Sequence, residues 1–208
     1  MKRTSTKPKG ATSYKQTAFG IIPRSKLLLL ELEGTKRGLD YISKNYSQTI
    51  TPDLILSIHH IAFGWIFLEW AGKFRTIRVE FSGKEAVQPN QVPLLITNLC
   101  ADLEERIKHL ESNSDEYIHK VVELLAWVQH GFVLIHPFQD YNGRLARMLT
   151  ICILLKLNLP PIEIKVDNDE DRQRYLNAMY AADAGNYSKL EKLIEAALNE
   201  SLSKINEV

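Results

Sequence analysis

From residue 22 onward, apolar residues recur every three or four positions, the spacing of amphipathic helices. Ser25 can cap a helix from Leu27 to Glu33 that Gly34 ends, and a second short helix spans Lys36 to Tyr46. Thr51-Pro52 opens a helix from Asp53 to Phe63, because proline suits the first helical position. Pro93 opens another, to about Glu111, with Leu95, Leu99, Leu103, Ile107 and Leu110 on one stripe. Asn113 and Glu116 fit a capping box for the next helix, whose apolar face carries Ile118, Val121, Val122, Leu125, Val128 and Phe132. Helices then run from Asn142 to Leu157, stopped by Pro160-Pro161, from Asp171 to Ala184 and from Ser188 to Leu202. One segment has a different period. Ile77, Val79 and Phe81 alternate with Arg78 and Glu80, and Ser82-Gly83-Lys84 offers a turn, so Arg75 to Val87 reads as a β-hairpin. A lone hairpin is marginal unless it packs on something, so it must lie against the helices or over a site. The fold class is all-α, a helical bundle with one small hairpin.

Length and composition narrow the setting. The 208 residues suit one domain. We divide them into a flexible basic tail (1–21, with Lys2, Arg3, Lys7 and Lys9), an N-terminal helical region (22–50) and a core (51–203). Lys+Arg (26) and Asp+Glu (25) nearly cancel, which argues against nucleic acid as the main partner. No run reaches the 18 apolar residues of a membrane span, and no membrane association is expected. Two distant cysteines, Cys100 and Cys152, exclude a disulfide framework or a four-cysteine zinc site and point to a reducing, cytoplasmic setting. His59, His60, His109, His119 and His130 lack metal-ligand spacing, and Trp65, Phe67 and Trp70 read as core.

The chemistry is concentrated in His136-Pro137-Phe138-Gln139-Asp140-Tyr141-Asn142-Gly143-Arg144-Leu145-Ala146-Arg147, a polar loop between two strongly apolar helices. Pro137 disfavours helical geometry at His136, and Asp140 or Asn142 can cap the next helix. Its first N–H groups then form an anion site. Arg144 and Arg147, three apart, share a helix face and can clamp polyphosphate. Asp140 adds a carboxylate that beside phosphates suits Mg²⁺. His136 titrates near neutrality and can take a proton from a hydroxyl nucleophile. Each residue alone has a structural reading, but together they make a phosphoryl or nucleotidyl transfer site.

This stretch resembles the signature of the Fic family, H-P-F-x-(D/E)-G-N-G-R-x-x-R, with Tyr141 in place of the first glycine. Trp70 to Thr76, Pro160-Pro161 and Ala182 to Asn186 resemble other parts of the same family, so the likeness covers roughly residues 25 to 200. It implies a Fic-type helical bundle that transfers AMP from ATP, with Mg²⁺, to a Ser, Thr or Tyr hydroxyl of a target protein. His136 would then be the general base and Asp140 the Mg²⁺ ligand. Asn142, Gly143 and Arg144 would form the phosphate nest, Arg147 would reach the γ-phosphate, and Tyr175 would lie near the adenine. Phe138 would be a buried anchor. Arg78, Val79, Glu80 and Phe81 would form the flap that docks the target by strand pairing.

Many family members carry an inhibitory helix motif, (S/T)-x-x-x-E-(G/N). Leu29 to Gly34 resembles it, with leucine at its first position, so Glu33 is expected to occupy Arg147 and act as a brake. Tyr141 leaves two alternatives open. One is phosphate or another nucleotide as the transferred group, as in the related Doc branch, a kinase with alanine at that place. The other is a catalytically impaired regulatory or toxin–antitoxin binding module. Self-association through the helical surface remains a further expectation.

Overall fold

A computed structural model describes residues 4–5, 17–166 and 168–206. Most of the expected N-terminal tail therefore lies outside the described residues. Among the described residues, seven α-helices and three short strands follow in the order β1 (Thr4–Ser5), α1 (Arg24–Asn45), α2 (Pro52–Phe63), β2 (Val79–Phe81), β3 (Lys84–Glu85), α3 (Val92–Lys108), α4 (Tyr117–Ile135), α5 (Asn142–Lys156), α6 (Asp169–Asp183) and α7 (Ser188–Asn206).

α4 is the axis of the bundle, packing against α3, α5, α6 and α7, while α1 packs against α2 and α5. A helix covered on several sides is apolar on several sides. This is why α4 alone among the described helices is long and apolar enough, by composition, to cross a membrane. Here Val121, Leu125, Val128 and Phe132 are buried in the bundle core.

Local signals set several of the helix ends. Thr51 Oγ1 accepts the Leu54 N–H at 3.2 Å with Pro52 at the first position, as expected. Asn168 caps α6 through the Asp171 N–H at 2.8 Å. The capping box expected at Asn113 and Glu116 does not form. Ser114 Oγ accepts the Glu116 N–H within a turn, and α4 starts at Tyr117.

The largest departure is in α1. Gly34 does not end a helix; one 22-residue helix runs through it and through Gly38. Both glycines are contact points. A Cβ at Gly34 would run into the carbonyl oxygen of Ala62 on α2, and one at Gly38 would sit 3.1 Å from Met148 Sδ on α5. Glycine there lets the backbones approach, and that tertiary contact outweighs its weak helix propensity. Gly34→Ala should therefore destabilise the fold by ~1–3 kcal/mol through overpacking, although alanine alone would favour the helix by ~1 kcal/mol. Urea unfolding checks this, and an unchanged or higher midpoint would contradict the contact.

The hairpin forms where the alternation placed it. β2 and β3 pair antiparallel with Phe81 opposite Lys84. Ser82 and Gly83 both have positive φ (50° and 77°), the primed turn that matches strand twist. β1 adds to the other side of β2, in parallel.

Candidate active site

The loop between α4 and α5 is bounded by two non-glycine residues in the left-handed region, His136 (φ 52°) and Tyr141 (φ 64°). Such a conformation costs ~1–2 kcal/mol per residue and persists only where the surroundings impose it. Four residues do so here. Asn142 Oδ1 accepts the Phe138 N–H and its Nδ2 donates to the Phe138 carbonyl, both at 2.9 Å, which closes the loop on itself. Phe138 is fully buried and stacks on His59, with ring centroids 3.8 Å apart. His59 Nδ1 accepts the Gly72 N–H (2.9 Å), so its Nε2–H donates to the Asp140 carbonyl (3.2 Å). Burial pushes the His59 pKa down to about 3 and keeps it in that neutral tautomer.

Arg75 is the fourth. It is 4 % exposed, and its guanidinium donates to four carbonyls: His136 (2.7 Å), Ile77 (3.0 Å), Val87 (2.6 Å) and Ile135 (3.3 Å). Its own N–H donates to the Pro137 carbonyl at 2.9 Å. One side chain thus ties the root of the hairpin to the backbone of the loop. Sequence reasoning missed both Arg75 and His59. Neither carries a local signal, because the partners that tie them to the loop, from Ile135 to Asp140, lie 60 or more residues away along the chain.

The chemical groups face the opposite way. His136 Nδ1 lies 3.2 Å from the Val133 carbonyl. A carbonyl can only accept, so Nδ1 carries the proton and Nε2 keeps its lone pair. Burial lowers the His136 pKa to about 4, and the Arg75 charge acts in the same direction, so the ring is neutral at neutral pH and able to accept a proton. The Phe81 ring of the hairpin stacks on it, with centroids 4.3 Å apart.

His136, Asp140, Gly143, Arg144, Arg147 and Tyr175 line one cavity of about 460 Å³ at the N-terminus of α5. A smaller cavity of about 150 Å³ opens on the other side of His136, between the hairpin and α6, lined by Phe81, Tyr175, Leu176, Met179 and Tyr180. Arg147 lies over the Tyr175 ring, 5.8 Å from its centroid, and the Tyr175 hydroxyl accepts from Gln129 Nε2 at 3.1 Å. Asn142 also borders the larger cavity; its side chain is buried and engaged with Phe138, so the side chain shapes the loop at the start of α5. Gly143 has ordinary backbone geometry, and a Cβ there would meet nothing nearer than Arg147 at 3.7 Å.

The expected Glu33–Arg147 pair is not formed. Glu33 is 47 % exposed and bonds Arg37 Nε at 3.0 Å, one helical turn on. The carboxylate turned toward the loop is Glu31, whose side chain is 1 % exposed. It accepts from Arg144 Nη2 (2.7 Å), the Tyr141 hydroxyl (2.8 Å) and Arg24 Nη1 (2.5 Å). The reason is helical geometry: two residues along a continuous helix are ~200° apart around its axis. Burial alone would raise the Glu31 pKa, but the charge of Arg144 and the hydrogen bonds from Arg24, Tyr141 and Arg144 together hold it below the usual carboxylate range. Tyr141 is therefore no mere substitute for glycine. Its ring is buried against Phe63 (4.1 Å between centroids) and Phe67 (5.6 Å), and its hydroxyl reaches α1.

The hairpin is anchored at its turn as well as its root. Lys84 pairs with Asp183 at the end of α6, and Asp183 meets His130 Nε2 at 3.1 Å. Arg78 faces outward and reaches Glu85 at 3.5 Å. Val79 is buried, while Glu80 and Phe81 are half-buried.

Among the described residues, no three His, Cys, Asp or Glu side chains converge as a metal cage. Of the two carboxylates that border the cavity, Glu31 is engaged by Arg24, Tyr141 and Arg144, so a divalent cation here would be held by Asp140 and would complete its shell with phosphate oxygens and water. Mg²⁺ commonly binds nucleotides in this way, so the residues fit a metal that arrives with its nucleotide.

Comparison with known proteins follows the same line. The chain is 30 % identical over 165 residues to the protein adenylyltransferase Fic of Nematostella vectensis, covering 78 % of this chain and 37 % of that protein. It is 30 % identical over 144 residues to the protein adenylyltransferase fic-1 of Caenorhabditis elegans, covering 69 % and 26 %. The chain spans about a third of the length of the curated relatives it matches. Among solved structures it is similar to Bartonella tribocorum BepC with bound AMPPNP (TM-score 0.71, 20 % identity, 91 % of this chain and 94 % of that one). It is also similar to C. elegans Fic-1 (TM-score 0.69, 22 % identity, 86 % and 51 %). The family model described as the Fic/DOC family matches residues 49–154, from the entry into α2 through the loop between α4 and α5 and most of α5. With half of the chain matched and the bundle, hairpin and loop arranged around one cavity, the chain belongs to the Fic/DOC family.

Proposed function

We propose that this chain transfers AMP from ATP to a hydroxyl group of a protein substrate. The observation that carries the reading is His136, neutral and with Nε2 unprotonated, at the edge of a cavity that also holds the α5 N-terminus, Asp140, Arg144 and Arg147. The hydroxyl proton goes to Nε2, the hydroxyl oxygen attacks the α-phosphorus, and pyrophosphate leaves. The α5 N–H groups and the two arginines hold the polyphosphate while charge moves onto it. Bound Mg²⁺, held by Asp140, would neutralise the phosphates. The apolar cavity between hairpin and α6 suits the base, with Tyr175 between it and the phosphates. The relatives named protein adenylyltransferases support the same assignment.

In this reading the brake is Glu31, because it already occupies Arg144. The test is intact-mass spectrometry after incubation with ATP and Mg²⁺ and a cell extract as a source of targets. AMP-sized adducts should form, and His136→Ala should slow them by ~10²–10⁴-fold, the usual contribution of a general base. A phosphate-sized adduct would instead assign phosphoryl transfer. Equal adduct from wild type and His136→Ala would remove His136 from the chemistry.

A further inference from the structure

α1, the start of α5 and α6 wall the larger cavity, and α6 contributes Arg172, Tyr175 and Leu176. Helical spacing puts these three there together, because residues three and four apart share a face. Arg174 is two positions on from Arg172, ~200° around the axis, and pairs with Glu170 (3.2 Å) and Asp171 (3.4 Å). Arg172 is exposed and, among the described residues, makes no ion pair, although Asp169, Glu170 and Asp171 directly precede it. A helix start favours carboxylates over cations, so the fold gains little from an arginine here. The cavity gains more. Of the other arginines on it, Arg24 and Arg144 share the Glu31 carboxylate, and Arg147 lies over the Tyr175 ring. Arg172 can therefore meet an incoming anion without first giving up an ion pair.

We propose that Arg172 is a nucleotide-binding residue that holds the phosphates beyond the α-phosphate from the α6 side and sets a preference for triphosphate over monophosphate. The inference rests on the transfer reading above and adds a third cation to the two on α5. Arg144 and Arg147 are three apart on one helix and approach a bound polyphosphate from one side. A guanidinium on a separate wall reaches oxygens that those two leave, and its planar fork suits two oxygens of one phosphate.

Titration calorimetry of the purified protein, with ATP and Mg²⁺ and separately with AMP, tests this without any transfer step. It is run in the wild-type and Glu31→Gln backgrounds. Arg172→Gln should weaken ATP binding by about ten- to a hundredfold and leave AMP binding unchanged. Arg172→Lys should recover part of the loss. Arg174→Gln, whose partners lie on its own helix, should bind ATP as wild type does. The thermal midpoint of Arg172→Gln should not move, because the side chain is exposed. In turnover, its KM for ATP should rise while kcat holds. Wild-type ATP affinity in Arg172→Gln, or an equal loss for ATP and AMP, overturns the proposal and leaves the transfer reading standing. An Arg172-dependent ATP affinity with no adduct on any protein keeps the residue as a nucleotide ligand and removes the transfer reading alone. If neither background binds ATP, both fall.

Discussion

Glu31→Gln should raise the rate of AMP transfer by roughly ten- to a hundredfold. In the resting structure Arg144 donates to a buried carboxylate, and that bond must break before the same guanidinium can hold phosphate. A charge-assisted hydrogen bond of this kind contributes ~1.5–3 kcal/mol, and each 1.4 kcal/mol is about tenfold. Glutamine keeps the volume and one acceptor oxygen but not the charge. The fold should lose only ~1–2 kcal/mol, because Arg24 and Arg144 remain partly exposed and water can replace the lost partner. Glu33→Gln is the internal control: its exposed bond to Arg37 predicts no change in rate. A time course of adduct formation, with a thermal midpoint for each variant, decides the matter. Acceleration by Glu33→Gln with none from Glu31→Gln would put the brake back at Glu33.

Arg75→Met should be the most damaging single substitution outside the catalytic residues, at ~3–5 kcal/mol. The loss combines an ion's hydrogen bonds with four carbonyls left without their donor, two of them at the end of α4 and the entry to the loop, Ile135 and His136. Burial already lowers the Arg75 pKa from arginine's usual value, so the charge is held by carbonyl dipoles converging on it. Arg75→Lys should recover part of the stability, because an ammonium is a point donor and cannot match the planar fork. Positioning is separated from stability by working below the unfolding temperature. There the transfer rate per folded molecule should still fall in Arg75→Lys, since the His136 carbonyl is no longer fixed and the ring above it loses its aim. Wild-type rates in a folded Arg75→Lys would show that the residue holds the fold and nothing more.

These two residues mark where sequence reading stopped. The helices were legible because their apolar stripes are long, and the hairpin because Ile77, Val79 and Phe81 alternate. The loop was legible because its residue types are dense in chemistry. α1 was not. Its leucines, Leu27 to Leu30 and Leu32, fall on every side of the helix, and Leu29 and Leu32 end up 68 % and 69 % exposed, so periodicity could not say which glutamate faces the loop. Gly34 looks like a stop until Ala62 is beside it. Arg75 looks like one charge among many until the loop backbone closes around it. In each instance the deciding partner is distant in sequence, and local propensity gives way to contact.

Tyr141 sets strain against packing. Glycine at this position would relieve ~1–2 kcal/mol of backbone strain, but it would also remove a ring stacked against Phe63, Phe67 and Trp70, and emptying such a place costs ~3–5 kcal/mol. Reversion is therefore a downhill step in strain and a steeper uphill step in packing. Tyr141→Gly would be tolerated only if Phe63, Phe67 and Trp70 were repacked with it, so the ring is a condition for keeping this part of the core.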